Sequence, residues 1–527
     1  MSITSITNKN PHHSWRETFL SFIHPRVITM LFLGFSAGLP YMLIFSSLSL
    51  WLGEAGVSRD VITYFSWAAL GYSFKFVWAP IIDKLPLPWL KNKLGQRRSW
   101  LLLAQLAVIS AILWMALTNP AEQSGNLTIM AIAAVFLGFS SATQDIVIDA
   151  YRIESAESDL QAMMSSAYTM GYRIGMWIAT AGVLLLATYL GSSKGNYLYQ
   201  AWQWTYFLMA GLMSIGVATT LIISEPTTQR HNGSVRTAED YLRFLLLFVL
   251  SVASFITIYY FSADISTTVK NSLTELLSNK HLAGFIVEST RLLIALFASW
   301  ITALTLVRTK IANRTMLDET YINPIKDFFQ RYGITLAWML LALIGLYRIS
   351  DIVLGVIANV FYQDMGFTKP EIATAVKTFG IAMTIVGSVI GGIMSMRYGV
   401  MRILFLGALL SALTNLLFML LASNGHDIVM LYIVIAADNL SAGIATAAFI
   451  AFLSSLTNIS FTAMQYAIFS SLMTLIPKVF GGYSGSIASD IGYSNFFMST
   501  AIMGIPVLLL IIVAGKHFEN HNNKATS

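Results

Sequence analysis

The chain has 527 residues, of which 56% are hydrophobic and 11% charged, where a soluble domain carries about 25% charged residues. With a mean hydropathy of +0.67, this composition excludes a soluble globular protein and places the chain among polytopic membrane proteins. It has no cysteine, so no disulfide or thiolate metal site can form, and the net charge of +6 follows membrane topology rather than nucleic-acid affinity.

In chain order, residues 1–26 read as a polar cytoplasmic tail. Trp15, Phe19, Phe22 and Ile23 share one helical face there, which fits a short interfacial helix. The tail ends in His24-Pro25-Arg26 without the apolar region of a signal peptide, so the first span is expected to be uncleaved. Hydrophobic runs of about 18 residues or more give fourteen expected spans. Six lie near Val27–Leu52, Val61–Ile82, Ser99–Leu117, Leu127–Ile148, Ala162–Tyr189 and Trp202–Ile223. Two central ones follow near Tyr241–Phe261 and Ala283–Val307. The last six are Ile334–Phe361, Ile372–Met394, Met401–Ala422, Val429–Phe452, Thr462–Ala488 and Ser494–Ala514. The fold class read from this is all-α and polytopic, with two six-helix bundles plus two additional central helices. Its domains are the tail 1–26, a bundle at 27–224, a linker with two spans at 225–333, a bundle at 334–515 and a tail at 516–527.

Most of the 32 basic residues fall in alternate loops, among them Lys84, Lys91, Lys93, Arg97 and Arg98 after the second span. The opposite loops hold Arg59, Lys194, Lys270, Lys280 and Lys369. The positive-inside rule therefore puts both termini in the cytoplasm. Six basic residues remain within spans: Lys75, Arg173, Arg291, Arg348, Lys377 and Lys478.

Charges inside spans are the functional signal, because a carboxylate near the bilayer centre costs roughly 2.5–3.5 kcal/mol on insertion scales. Gln144, Asp145 and Asp149 end the fourth span, and the i, i+4 spacing sets both carboxylates on one helix face. The chain also repeats itself. Ser165-Ser166, Thr169 and Arg173 recur at identical offsets as Ser470-Ser471, Thr474 and Lys478. Asp83, Gly95, Arg97 and Arg98 after the second span match, in part, Gly391-Gly392, Arg397, Gly399 and Arg402 after the second span of the second half. Paired repeats of this kind are a transporter trait.

Asp83, Gly95, Arg97 and Arg98, with Glu225-Pro226-Thr227 after the sixth span, resemble the loop motifs of the major facilitator superfamily. More specifically, the chain is similar to the AmpG family of muropeptide permeases. The resemblance runs through Gly34 to Pro40, Phe74 to Pro80, Gln144 to Asp149, Gly171 to Gly175, Leu346-Tyr347-Arg348 with Asp351, Lys377-Thr378, Asn439 and Gly443 to Phe449. Asp438 stands where that family suggests glutamate, and Lys478 where it suggests arginine.

The resemblance implies import of anhydromuropeptides across the bacterial inner membrane during cell-wall recycling, a process tied to beta-lactamase induction, with proton coupling and alternating access. It implies a functional monomer in membrane lipid, with no cofactor, metal or nucleic-acid partner and no enzymatic activity. Lys75, Gln144, Asp145, Arg173, Arg348, Lys377, Asn439 and Lys478 are the substrate-binding candidates. Asp145, Asp351, Asp438 and Asp149 are the proton-coupling candidates, Asp145 first. Asp83, Arg97, Arg98, Asp149 and Arg152 are the gate candidates. Asp149 is placed with Arg152 and the basic loop ahead of the substrate, and Arg348 stands equally between substrate and Asp351. Trp67, Trp78 and Tyr347 are offered as sugar platforms or as packing. Gly34, Gly38 and Pro40 are offered as a break in the first span, the two glycines alternatively as a packing face. An acetyl-CoA or other anionic-metabolite transporter is the alternative, and a membrane-embedded transferase the alternative of a different class. Against the latter, all eight histidines lie in loops or tails and no phosphate-loop motif occurs.

Overall fold

The computed structural model describes residues 15–526 except 59–60, 63–64, 66–69, 123, 157, 194, 228–237, 278–279, 312 and 482–483. Among the described residues there is no strand, only an isolated bridge between Ser193 and Asn196. The long helices are numbered in chain order. They are α1 (Pro25–Met42), α2 (Gln96–Ala116), α3 (Ser124–Ser155), α4 (Ser158–Trp177), α5 (Tyr199–Ile222), α6 (Ala238–Phe261), α7 (Ala263–Leu277) and α8 (Lys280–Arg308), then α9 (Asn323–Leu346), α10 (Ile349–Asp364), α11 (Gly380–Tyr398), α12 (Val400–Asn424), α13 (Ile428–Leu456), α14 (Thr462–Gly481) and α15 (Tyr493–Thr526).

Thirteen helices among the described residues are long and apolar enough to cross a membrane. They match the expected spans other than Val61–Ile82, part of which lies outside the described residues. That span is described as broken pieces: a helix at Leu70–Phe74, a 3-10 turn at Lys75–Val77 and a helix at Ala79–Lys84 that opens on Pro80. The turn places Lys75 where the backbone leaves regular α geometry inside an apolar segment, a common mark of functional positions.

The first span does not break at its glycines. Helix α1 runs through Gly34, Gly38 and Pro40, and only beyond Met42 does it loosen into a π-helical stretch at Leu43–Ser47; the carbonyl of Ser36, which Pro40 has no N–H to satisfy, accepts from Gln144 instead. The glycines instead let α1 and α4 meet backbone to backbone. A Cβ on Gly34 or Gly38 would sit 2.2 or 2.0 Å from the carbonyl oxygens of Tyr168 and Tyr172, and one on Gly171 or Gly175 would sit 1.9 or 2.4 Å from those of Leu31 and Phe35. Four small residues spaced by four are what close helix crossings in a membrane require. This crossing fixes the face of α4 that carries Tyr172 and Arg173.

The chain divides into two compact units, one comprising the segments up to Gln229 and from Phe329 onward, the other Arg230 to Phe328. In the larger unit, α1 to α5 enclose an apolar core around Trp51, Met115, Leu137 and Trp202. The second half is held by a ring cluster in which Phe361 meets Phe418, Phe497 and Tyr493. Helix α4 packs on α11 and α13, while α14 packs on α3 and on the broken second span, so the two halves meet along these elements. The short helix Trp15–Leu20 leads into a 3-10 turn at Ser21–Ile23; the side chains of Trp15 and Phe19 lie outside the described residues.

In the smaller unit, α6 and α8 form a hairpin continued by α7. Arg291 joins them: its Nε donates to the Tyr259 carbonyl (3.1 Å) and to Ser262 Oγ (3.0 Å), its guanidinium lies 3.9 Å from the Tyr259 ring, and Glu288 is 3.3 Å away. A charge inside an apolar hairpin is thus neutralised within it.

Candidate functional site

At the end of the larger unit that carries the basic loop, α2 begins at Gly95, whose φ of 87° suits glycine. A Cβ there would sit 2.4 Å from the Glu225 side chain. Glu225 accepts from the backbone N–H groups of Arg97 (2.8 Å) and Arg98 (3.1 Å), capping α2 with a carboxylate. Arg98 turns the other way and donates to the carbonyls of Thr220 (3.0 Å) and Leu221 (2.7 Å) at the C-terminus of α5.

Arg97, 1% exposed, bonds Asp83 at 2.6 Å and Glu154 at 2.6 Å. Both acids then reach across to the second half. Asp83 accepts from the N–H groups of Ala463 (3.2 Å) and Met464 (3.0 Å) at the start of α14, and Thr462 Oγ1 donates to Glu154 at 2.6 Å. Arg152 adds a parallel tie: it donates to Ser165 (3.1 Å) on α4 and to Ser454 (2.6 Å) on α13, pairs with Asp149 at 3.2 Å and lies over the Tyr466 ring. Breaking a buried pair of this kind by removing one partner costs about 3–5 kcal/mol.

Deeper in the fourth span, Lys75 Nζ lies 3.5 Å from Asp149, so Asp149 is shared by Lys75 and Arg152. Gln144 donates to the Ser36 carbonyl at 2.9 Å, which ties α3 to α1. No donor reaches Asp145 Oδ1 or Gln144 Oε1, though both atoms are buried. Of the two carboxylates on one face, one is fully paired and the other is not.

In the second half, Arg348 donates to Thr446 (3.1 Å) and more weakly to Asp351 (3.5 Å), and its Nε has no partner. Asp351 also accepts from Ser411, and Asp438 from Thr414 at 3.3 Å, so two carboxylates hang from neighbouring positions of α12. Asn439 accepts from Thr384 at 3.0 Å and donates to the Ile435 carbonyl, which binds it to α11 and α13. Lys377 is exposed within a π-helical stretch at Ala373–Phe379. Arg173 stands on α4, next to Tyr172. Its guanidinium makes no hydrogen bond or ion pair among the described residues. The Lys478 side chain lies outside the described residues.

The sequence matches the Major Facilitator Superfamily over residues 30–350 and 339–527. It is 30% identical over 488 residues to a Rickettsia conorii protein provisionally named transporter AmpG 4, covering 92% of this chain and 96% of that one. It is 27% identical over 500 residues to the anhydromuropeptide permease of Escherichia coli K12, covering 94% of this chain and 81% of that one. The chain belongs to the AmpG family of the major facilitator superfamily. Among solved structures it resembles the proton:xylose symporter XylE, with a TM-score of 0.57 and 11% identity over 94% of this chain and 95% of that one; that likeness speaks for the fold alone. The chain is therefore a multi-pass transporter of the bacterial inner membrane, not an enzyme. Among the described residues no cluster of three or more His, Cys, Asp or Glu could hold a metal.

Two of the expected sugar platforms are packing residues. Trp78 is buried, donates to Thr143 Oγ1 and packs on Phe139; Tyr347 is buried, donates to the Leu404 carbonyl and stacks on Phe449. Trp67 lies outside the described residues. Two groups escaped the sequence reading. Glu154 is one, and its only signal is a third acid following Asp149 and Arg152 at the loop. Tyr41, Tyr72 and Tyr172 are the other, drawn together from three spans, with only the adjacency of Tyr172 to Arg173 as a hint.

Proposed function

We propose that this AmpG-family transporter imports anhydromuropeptides from periplasm to cytoplasm, in symport with protons, by rocking its two halves about the central charges. The observation that carries the reading is a pair of under-paired guanidiniums in opposite halves: Arg173, with no hydrogen bond or ion pair among the described residues, and Arg348, whose Nε has no partner. One has no counter-ion and the other only Asp351 at 3.5 Å, so an anion bound between the halves would satisfy both. A peptide carboxylate fits that need bidentately, and the Escherichia coli relative's name supplies the sugar-peptide class.

The coupling proton is assigned to Asp145, the intramembrane carboxylate whose Oδ1 has no donor, with Asp351 and Asp438 as a second acidic pair beside Arg348. Asp149 is held by Lys75 and Arg152 and belongs with the gate. The Arg97 end is cytoplasmic by its basic loops, so the Asp83, Arg97, Glu154 and Arg152 ties form a closed inner gate. Opening them releases substrate inward. The working unit is one chain in lipid.

The test is uptake of labelled anhydromuropeptide into proteoliposomes with and without an imposed pH gradient. Gradient-driven accumulation is expected, with Arg173→Lys raising KM at least about tenfold and Asp145→Asn retaining counterflow but losing accumulation. Accumulation that ignores the gradient overturns symport, and acetyl-CoA counterflow without muropeptide uptake overturns the substrate. An Asp145→Asn variant that still accumulates rejects that residue as the proton site.

A further inference from the structure

Three tyrosines from three different spans converge beside Asp145. The Tyr41 and Tyr72 rings meet edge to face at 5.2 Å and 87°, and Tyr172 lies 6.3 Å from Tyr41. Tyr72 reaches Ser141, one helical turn before Asp145 on α3, which ties the group to that carboxylate. None of the rings is sealed, although each sits inside a membrane-spanning bundle. Tyr72 donates to Ser141 Oγ at 2.6 Å, which fixes its ring against α3. The hydroxyls of Tyr41 and Tyr172 make no hydrogen bond among the described residues. Half-buried tyrosine hydroxyls inside a bundle are free to take a partner that enters it. Here two hydroxyls, the buried Asp145 Oδ1 and the buried Gln144 Oε1 are left without one in the same region.

Half-open aromatic faces rimmed by unused hydrogen-bonding groups suit a ligand that is apolar on its faces and hydroxylated at its edges. A pyranose is such a ligand: its axial C–H bonds carry partial positive charge toward the negative face of a ring, and its equatorial hydroxyls reach outward to polar groups. A smaller half-buried aromatic pair, Phe379 and Tyr432 at 5.2 Å, is present in the opposite half. Its aromatics Tyr347, Phe449 and Phe452 stack on one another, and the Tyr347 hydroxyl is already used. Among the cationic groups, Lys75 is held by Asp149 at 3.5 Å, Arg173 is the next residue after Tyr172, and Arg348 and Lys377 belong to the second half.

We propose that Tyr41, Tyr72 and Tyr172 form the sugar-binding face of the transport site, so that a sugar-peptide lies with its saccharide on the first half and its peptide carboxylate between Arg173 and Arg348. This rests on the muropeptide reading for the peptide end, but the sugar face stands or falls separately.

The probes are the peptide-free disaccharide N-acetylglucosaminyl-anhydro-N-acetylmuramic acid, its peptide-bearing form and the free peptide, each titrated calorimetrically against the purified full chain. The Tyr172→Leu and Tyr41→Leu variants are expected to weaken the disaccharide and the peptide-bearing ligand by about three- to tenfold, the worth of one aromatic contact. Binding of the free peptide stays as in wild type, which also reports an intact fold. Tyr172→Phe, which keeps the ring, is expected to fall between leucine and wild type. Arg173→Met is expected to weaken the peptide-bearing ligand and the free peptide more than tenfold and to spare the amide and hydroxyl contacts of the sugar. Unchanged disaccharide affinity in both leucine variants overturns the sugar face while leaving muropeptide transport standing. A disaccharide that does not bind wild type overturns it as well. Disaccharide binding that depends on the tyrosines, in a protein that transports no muropeptide, upholds the sugar face and rejects the transport reading instead.

Discussion

Removing one methyl-sized hydroxyl at the end of the molecule tests the gate most cleanly. Thr462 Oγ1 donates to Glu154 at 2.6 Å from the opposite half, and Glu154 keeps Arg97 at 2.6 Å whether or not the threonine is present. Thr462→Val therefore deletes the cross-half bond without stranding a charge. A hydrogen bond to a charged group contributes about 1.5–3 kcal/mol. This one exists only while the two halves are together, because once they part both groups are hydrated. The variant should shift the closed-to-open ratio at this end by about 10- to 150-fold toward open. The chain has no cysteine, so Lys91→Cys and Arg402→Cys, both exposed and on opposite halves, take spin labels without further engineering. Electron–electron distance distributions in lipid nanodiscs should gain a longer population in Thr462→Val and lose it again in Thr462→Ser. A valine variant whose distribution matches wild type within about twofold, against the expected shift, would refute the reasoning that this bond holds the end closed.

Other expectations follow from the same geometry. Gly171→Ala forces a Cβ to 1.9 Å from the Leu31 carbonyl, so the variant should lose monodispersity in detergent chromatography; Gly125→Ala, where nothing lies within 4 Å, should not, and similar profiles for both would contradict the crossing. Lys75→Met leaves Asp149 with Arg152 alone and should destabilise the protein toward the lower end of the about 3–5 kcal/mol cost of a broken buried pair, read as a lower thermal midpoint. The double variant Lys75→Met with Asp149→Leu should recover part of that loss, and no recovery would mean the pair is not the source. Arg291→Met removes the donor to the Tyr259 carbonyl and to Ser262, so amide exchange over 260–266 should quicken about tenfold, as for one charge-assisted hydrogen bond; unchanged exchange would show the joint is held by packing alone.

The membrane class, the helices and the family could be read without coordinates because each is a local or compositional property. An apolar run near bilayer length has few alternatives to a helix, since unsatisfied backbone in lipid is too costly. Within the second span hydropathy did not show the break before Pro80, which sets Lys75 in a 3-10 turn beside Asp149. The pairing of charges was not legible at all. Asp145 and Asp149 look equivalent by spacing, yet one is claimed by Lys75 and Arg152 while the other is left without a donor. The partners that decide this stand on other helices, far away in the chain.

What the amino-acid sequence determined by itself, then, is the set of spans, the ends where basic residues collect and the membership in a transporter family, all carried by hydropathy and short motifs. Tertiary packing decided which acid is paired and which lacks a donor, that Glu154 rather than Arg98 completes the Arg97 cluster, and that Tyr41, Tyr72 and Tyr172 from three spans meet while Trp78 and Tyr347 are buried in packing. A side chain's partners depend on which helix faces are brought into contact, and that is set by the glycine crossing of α1 and α4 and by the joining of the two halves, not by any neighbour along the chain.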